Sequence, residues 1–280
     1  MDYDPVKSRM ARLFLRRPWM QRLMFLLARQ VFLREREVRR ALRRLAAAGW
    51  APRRALDAGT GYGQYALALR ACFPAARVLS VDINPACVAR LDELCRSGGV
   101  AAVETRVADL LELELDEPVD LVLNVDVVEH IEDDRRVFRN LAAALAPGGL
   151  LLLHTPAVAE GTPEAAVSGP GVRRGACAVG EHAREGYTRA MLRERLRQAG
   201  LEEVWLRATY GRAGGWAWRL GVRGPMRALA LGAWTLPLVL LWLAAMILPV
   251  RLLNEIDLRG EREQGGCLLL LARRPAGMAA

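Results

Sequence analysis

Three glycines at alternate positions, Gly59, Gly61 and Gly63, follow a short apolar strand ending in Asp57, and an Ala- and Leu-rich helical pattern follows them in "RRALDAGTGYGQYALALR". Glycine lets the backbone bend tightly and approach a ligand, and the start of the helix offers unpaired N–H groups to a polar one. Gly61, Gly63 and Ala66 also satisfy the G-x-G-x-x-A form of the dinucleotide fingerprint, so this stretch alone admits a nicotinamide enzyme. A second strand, "ARVLSVD", ends in Asp82, about twenty residues beyond the turn, where a carboxylate would accept hydrogen bonds from ribose hydroxyls.

Further polar residues fall at the ends of later strands. "AAVETRVADL" ends in Asp109 and Leu110, and "VDLVLNVDVVEHIEDD" carries a fourth strand that ends near Asn124. The three histidines hold comparable places: His130 in the E-H pair after strand four, His154 at the end of strand five, and His182 in "EHAREGYT". Histidine titrates near neutral pH, so each is a candidate to take a proton from an acceptor hydroxyl, and all three are expected to face one crevice. Each also has a structural alternative, as a helix cap for His130, a satisfied core residue for His154 and a loop tie for His182. Tyr187 is a candidate substrate contact, and Glu129 is read as orienting its loop.

These residues need a frame. Strands alternate with helical patterns, including one from about Asp134 to Leu145, before "LAPGGLLLLHTP" makes a turn and a fifth strand. That rhythm calls for a parallel sheet with helices on both faces.

The series D-A-G-T-G-Y-G, V-D-I-N-P, A-D-L, V-x-x-x-E-H-I and L-A-P-G-G-L-L-L, in that order over residues 53–156, resembles the class I S-adenosylmethionine-dependent methyltransferases, in the branch similar to quinone-ring and small-molecule enzymes. "EHAREGYTRAMLRERLRQAGLEEVWL" resembles the same branch, with a helix ending in A-G before strand six. The resemblance implies S-adenosylmethionine as cofactor. It also implies that Asp57 and the glycines hold the methionine part, Asp82 the ribose, and Asp109 with Leu110 the adenine, Ile83 and Asn124 completing the cofactor set. It implies an α/β, doubly wound seven-stranded sheet in which six strands are parallel and strand seven is antiparallel. "GGCLLLLARR", residues 265–274, is the candidate for strand seven, and "LEEVWLRATY" for strand six.

Besides a loop over residues 157–186, two segments depart from that pattern. Residues 1–54 hold 15 Lys and Arg against 4 Asp and Glu, which leaves the other 226 residues at −2 of the total +9. From Trp19 to Leu45 apolar positions recur at helical spacing with arginines on other faces, as one long helix or two, fit for a solvated face or an anionic membrane surface. The second departure is "ALALGAWTLPLVLLWLAAMILPV", residues 228–250, which runs 23 positions without a charge. As one helix it would cover about 35 Å, enough for the ~30 Å core of a bilayer. A single crossing would strand the seventh strand on the wrong side of the membrane. Pro237 is expected to break the stretch into two short apolar helices, a monotopic or re-entrant hairpin beside the crevice. An apolar lid is the alternative.

The chain is thus expected to comprise a basic amphipathic N-terminal helical segment (1–50), a methyltransferase domain (51–210 with 265–274) and an apolar helical insertion between strands six and seven (211–264). Five cysteines without C-x-x-C spacing argue against a disulfide framework or a metal site. "MDYDPVKSRMARLF" lacks a secretory pattern, so a cytoplasmic location, peripheral or monotopic on the inner face of the membrane, is expected. The expected activity is methyl transfer to oxygen or carbon of an apolar, membrane-associated small molecule such as a lipid or quinone. Its alternatives are a nicotinamide oxidoreductase, a non-catalytic binding protein or a nucleic-acid methyltransferase. Expected partners are that substrate, an anionic membrane surface and a second copy of the chain as a homodimer. Nucleic acid is not expected, because the arginines interleave with apolar positions and not with stacking aromatics.

Overall fold

The computed structural model describes residues 18–167, 183–260 and 262–277. The described chain divides into two compact units, one of residues 39–167, 183–206 and 267–277, the other of residues 18–38 and 207–266.

The first unit is built on a seven-stranded sheet in the order β3-β2-β1-β4-β5-β7-β6. Its strands are β1 (Arg54–Ala58), β2 (Arg77–Asp82), β3 (Val103–Val107), β4 (Val119–Val125), β5 (Leu145–Pro156), β6 (Glu202–Thr209) and β7 (Cys267–Arg273). Six run parallel and β7 runs antiparallel to β5, with Leu152 opposite Leu271 and His154 opposite Leu269. The central strands "VDLVLNV" and "CLLLLAR" read as continuous apolar runs because both faces of the sheet are covered. The two edges carry charge instead, Glu104 and Arg106 on β3 and Glu202 and Glu203 on β6, which discourages pairing with another sheet.

Helices α3 (Gln64–Cys72), α4 (Pro85–Ser97), α5 (Asp134–Ala144) and α7 (Arg189–Gln198) connect these strands, with a single turn, α6 (Glu164–Val167), after β5. Their starts are written locally. Asn84, Asp133 and Thr188 each accept a hydrogen bond from a backbone N–H in the first turn that follows, and Pro85 supplies the preset φ of a first helical position. The P-G-G segment, expected as a turn before strand five, lies inside β5. There the register against β4 jumps from Val119 opposite Leu145 to Leu121 opposite Leu150, and Gly148 takes φ +80°. It is a bulge within the strand, which a left-handed glycine permits.

The second unit is helical. It holds α1 (Pro18–Val31), the start of α2 (Leu33–Ala47), α8 (Arg212–Trp218), a π turn at Arg219–Arg223, α9 (Gly224–Ala230) and α10 (Leu236–Arg259). The basic N-terminal segment is therefore two helices, broken at Phe32. Pro237 does not divide the apolar stretch as expected. It occupies the first turn of α10, where its missing N–H has no partner to lose, and the break falls upstream at Gly232 (φ +139°). Thr235 closes that corner by donating its hydroxyl to the carbonyls of Ala228 and Gly232. The result is one short helix and one of 24 residues that tolerates Pro249 in its interior.

Polar anchors fix the C-terminal part of α10 in this unit. Asn254 donates to the Val31 carbonyl at 3.0 Å, Arg36 pairs with Glu255, and the buried Asp257 carboxylate accepts the N–H groups of Gly214 (2.6 Å) and Gly211 (3.3 Å) and pairs with Arg262. Gly214 permits the close approach, since a Cβ there would sit 2.6 Å from Leu33 Cδ2. Asp257→Ala would orphan two backbone donors and remove the ion pair with Arg262, so it should destabilise the protein by about 3 kcal/mol, read as a lowered urea midpoint. An unchanged midpoint would show that the anchor is dispensable.

Candidate functional site

The carboxyl ends of β1, β2, β3 and β4 lie side by side in the sheet, and chain order reverses between β1 and β4. In open α/β sheets a ligand binds in the crevice outside such a switch point. Asp57, Asp82, Asp109 and Asn124 all belong to this edge.

The glycine turn after β1 is held from three directions. Gly59, Gly61 and Gly63 take φ of +84°, +52° and +88°, a left-handed path costly for other residues. Gly59 and Thr60 donate their N–H groups to the Val81 carbonyl, and Gly61 donates to Asp82 Oδ2 at 2.8 Å. Asp57 is buried and accepts the Thr60 hydroxyl at 2.6 Å. A Cβ on Gly59 would lie 2.4 Å from Val127 Cγ2 and one on Gly63 2.3 Å from Leu91 Cδ1, whereas one on Gly61 would meet no atom within 4 Å. The outer glycines are therefore required by packing, and the central one opens onto space.

Asp82 is the hinge of the arrangement. Its Oδ1 accepts the Asn84 N–H at 2.8 Å while Oδ2 holds Gly61, and each oxygen keeps a second lone pair for a donor from the crevice. The next residue, Ile83, is an apolar side chain left 53% exposed. Asp109 is half-buried and caps the single turn Leu110–Glu112, accepting Leu111 N–H, while Leu110 packs inward and its carbonyl accepts the Asn140 amide. Asn124 is fully buried and donates to the Ala58 carbonyl across the β1–β4 junction, and its Oδ1 has no hydrogen-bond partner among the described residues.

Of the proposed catalytic residues, three lie among the described ones, and they differ in exposure. His130 sits half-buried in the turn Val128–His130 that follows β4. His154 does not face open space: its ring is fully buried, and Nδ1 meets Asp126 Oδ1 at 2.6 Å. His182 lies outside the described residues. Tyr187 is not a substrate contact, because it is fully buried and its hydroxyl donates to Asp134 Oδ2 at 2.8 Å. Burial, then the neighbouring Asp134 carboxylate, push the Tyr187 phenol well above its usual ionisation range. The same Asp134 oxygen pairs with Arg184 (2.8 Å) and Arg195 (3.0 Å), all within the core. Arg184 also donates to the carbonyls of Ile131 and Glu132, and buried Glu129 accepts the Thr155 hydroxyl at 3.1 Å. This network fastens the E-H turn, which is the orienting role expected of Glu129. Asp126 escaped the sequence reading, although it directly follows an apolar strand and stands one strand away from a histidine.

A family model described as a methyltransferase domain matches residues 27–205. A probable S-adenosylmethionine-dependent methyltransferase of Mycobacterium tuberculosis is 39% identical over 102 residues, covering 36% of this chain and 35% of the relative. The trans-aconitate 2-methyltransferase of Methylobacterium nodulans is 33% identical over 106 residues, covering 38% and 39%. The chain thus spans between a third and two-fifths of the length of these relatives. Among solved structures, the N-methyltransferase NodS from Bradyrhizobium japonicum in complex with S-adenosyl-L-homocysteine has the same fold, with a TM-score of 0.51 at 19% identity over 86% of this chain and 87% of that one. The chain belongs to the methyltransferase-domain family, within the class I S-adenosylmethionine-dependent methyltransferases. The antiparallel β7 beside β5 also departs from a dinucleotide-binding sheet, and the oxidoreductase alternative is not favoured.

The residues present fit that cofactor. Gly61 opens a cradle that any Cβ would invade, Asp82 offers carboxylate lone pairs to a ribose diol, Ile83 offers an apolar surface to a base, and Asn124 holds an orphaned acceptor at the switch point. Gly59→Ala should cost about 3 kcal/mol of stability from strain and overpacking. Gly61→Ala should cost only about 1 kcal/mol and yet weaken cofactor binding about tenfold. Urea denaturation and calorimetry of both variants check the contrast; equal stability losses would contradict it.

Proposed function

We propose that the protein methylates oxygen or carbon of an apolar small molecule, a lipid or quinone-like compound, that it draws from an anionic membrane surface on the cytoplasmic side. The bound cofactor supplies a methyl group already activated on a sulfonium, so the chain's task is to position the acceptor and, for a hydroxyl, to accept its proton. His130 is the candidate for that proton, since it follows β4 at the crevice edge and is not sealed in the core as His154 is.

The observation that carries the membrane reading is the uneven burial of α10. Its most apolar window has a mean hydropathy of 2.2 and is only 11% buried, and Leu241 and Leu248 are each 70% exposed. The polar anchors hold Asn254 and Asp257 at its other end. The charge-free part of α10, from Leu236 to Val250, spans about 22 Å, short of the ~30 Å hydrocarbon core, and suits shallow insertion from one side, with Leu252 and Ile256 exposed beyond Arg251. The chain leaves the sheet after β6 and returns as the adjacent β7, so a single crossing is disfavoured. Arg219, Arg223 and Arg227 precede the segment and suit anionic headgroups, and exposed Trp216 and Trp234 suit an interface. α1 exposes Trp19, Leu23 and Leu27 in the same unit.

Cosedimentation with phosphatidylglycerol-containing vesicles tests this. Wild type should pellet with the vesicles, and binding should weaken but persist in part as salt rises, because screening removes the arginine term and leaves the apolar one. Leu238→Glu with Leu241→Glu should abolish pelleting and keep cofactor binding. Wild type incubated with methyl-labelled S-adenosylmethionine and a total bacterial lipid extract should move label into the organic phase. A protein that remains soluble beside anionic vesicles contradicts the reading, and one that instead forms a dimer disrupted by the same substitutions assigns the face to a second copy.

A further inference from the structure

Asp126 follows β4 in the left-handed region, with φ +53°. Aspartate and asparagine enter this region more readily than most residues, but the conformation carries strain, and such positions cluster at functional sites. The residue is fastened to β5 twice. Its N–H donates to the His154 carbonyl at 2.9 Å, and its Oδ1 meets His154 Nδ1 at 2.6 Å. His154 is fully buried, whereas the Asp126 side chain is 20% exposed, so the carboxylate is the outer member of the pair. The short contact with the buried imidazole fixes the direction in which the Asp126 carboxylate is presented. The Asp126 carboxylate, 20% exposed, is the charged group of the pair that reaches solvent.

Its place in the fold says what that charge would meet. Asp126 lies at the carboxyl end of β4, one of the two strands that flank the switch point. The next residue, Val127, fills the space over Gly59, the first glycine of the turn to which the methionine part of the cofactor is assigned. Two residues upstream, Asn124 presents its orphaned, fully buried Oδ1 at the β1–β4 junction, a second sign that this corner receives a ligand. The cofactor enters the reaction with a sulfonium cation in its methionine part and leaves it as a neutral thioether.

We propose that Asp126, oriented by the buried His154, reads the charge on the cofactor's sulfur and favours the sulfonium form over the thioether product. The proposal rests on the cofactor reading given above. Asp126 is here a specificity-determining residue and His154 a positioning residue. The consequence is an electrostatic bias toward exchanging spent cofactor for fresh, since a fixed carboxylate near a developing neutral sulfur loses its attraction as the methyl group departs.

Calorimetric titration of S-adenosylmethionine and S-adenosylhomocysteine tests this without knowledge of the acceptor. Asp126→Asn removes the charge, keeps the shape and retains a residue at home in the left-handed region, and a thermal melt reports whether the variant folds. The expected result is a shift of about tenfold in the ratio of the two affinities toward S-adenosylhomocysteine, with weaker S-adenosylmethionine binding and nearly unchanged product binding. His154→Asn, whose side-chain amide can donate from near the Nδ1 position, should hold the wild-type ratio, while His154→Leu should shift it in the direction of Asp126→Asn. A ratio unchanged in Asp126→Asn overturns the proposal. If both affinities fall together, the residue serves the methionine ammonium or the loop packing, and the proposal is equally overturned. Failure of the folded wild type to bind either molecule overturns the cofactor reading itself and this proposal with it.

Discussion

The hydrogen bonds made by the Asp82 carboxylate hold the site together. One oxygen takes the N–H of Gly61 and the other that of Asn84, so a single side chain at the end of β2 fixes both the crest of the glycine turn and the entry to α4. The turn in turn sets where Val127 rides over Gly59 and hence where β4 delivers Asp126 and the E-H turn. Charge-assisted bonds of this kind are stronger than neutral ones, and here they organise a loop whose left-handed path would otherwise be one of many. The carboxylate retains lone pairs toward the crevice, so the group that shapes the site is also available to its ligand.

The two units divide the physical work. The sheet unit is an apolar interior with charge concentrated in one buried cluster, where Asp134 gathers Tyr187, Arg184 and Arg195 and keeps the loop after β4 in place. Breaking such a cluster costs more than it would gain, which makes it a specifier of one loop geometry. The helical unit reverses the pattern. A few buried polar bonds around Asn254 and Asp257 hold it, and large apolar side chains are left outward along α10. That exposed apolar stretch, with its flanking arginines, is the feature on which the proposal of a membrane-borne acceptor rests.

Much of the sheet was legible because each of the first four strands has a polar residue within two positions of its carboxyl end that its apolar run does not need. Asp57, Asp82, Asp109 and Asn124 mark those ends, and the left-handed glycines after β1 follow from the alternate spacing. What the sequence hid was the direction of side chains. His154 lies near a strand end, but both faces of β5 are covered there and its ring meets Asp126, a partner brought by the β4–β5 register of Val125 opposite His154. Tyr187 looked available because its neighbours are polar, yet those polar groups form a closed internal cluster with Asp134. Pro237 was read as a breaker because it stands inside an apolar run, but Gly232 ends the preceding helix first and leaves the proline at a helix start. For the two side chains a tertiary partner decided the outcome, and for Pro237 the local turn at Gly232 did.

The account stands most directly on Asp82 as an acceptor for the cofactor's ribose, and titration calorimetry of S-adenosylmethionine into wild type and Asp82→Ala measures it. Removing a carboxylate that accepts charge-assisted hydrogen bonds should weaken binding by about 1.5–3 kcal/mol, roughly tenfold to a hundredfold in Kd. Equal affinity in a folded Asp82→Ala variant would contradict the assignment of this crevice.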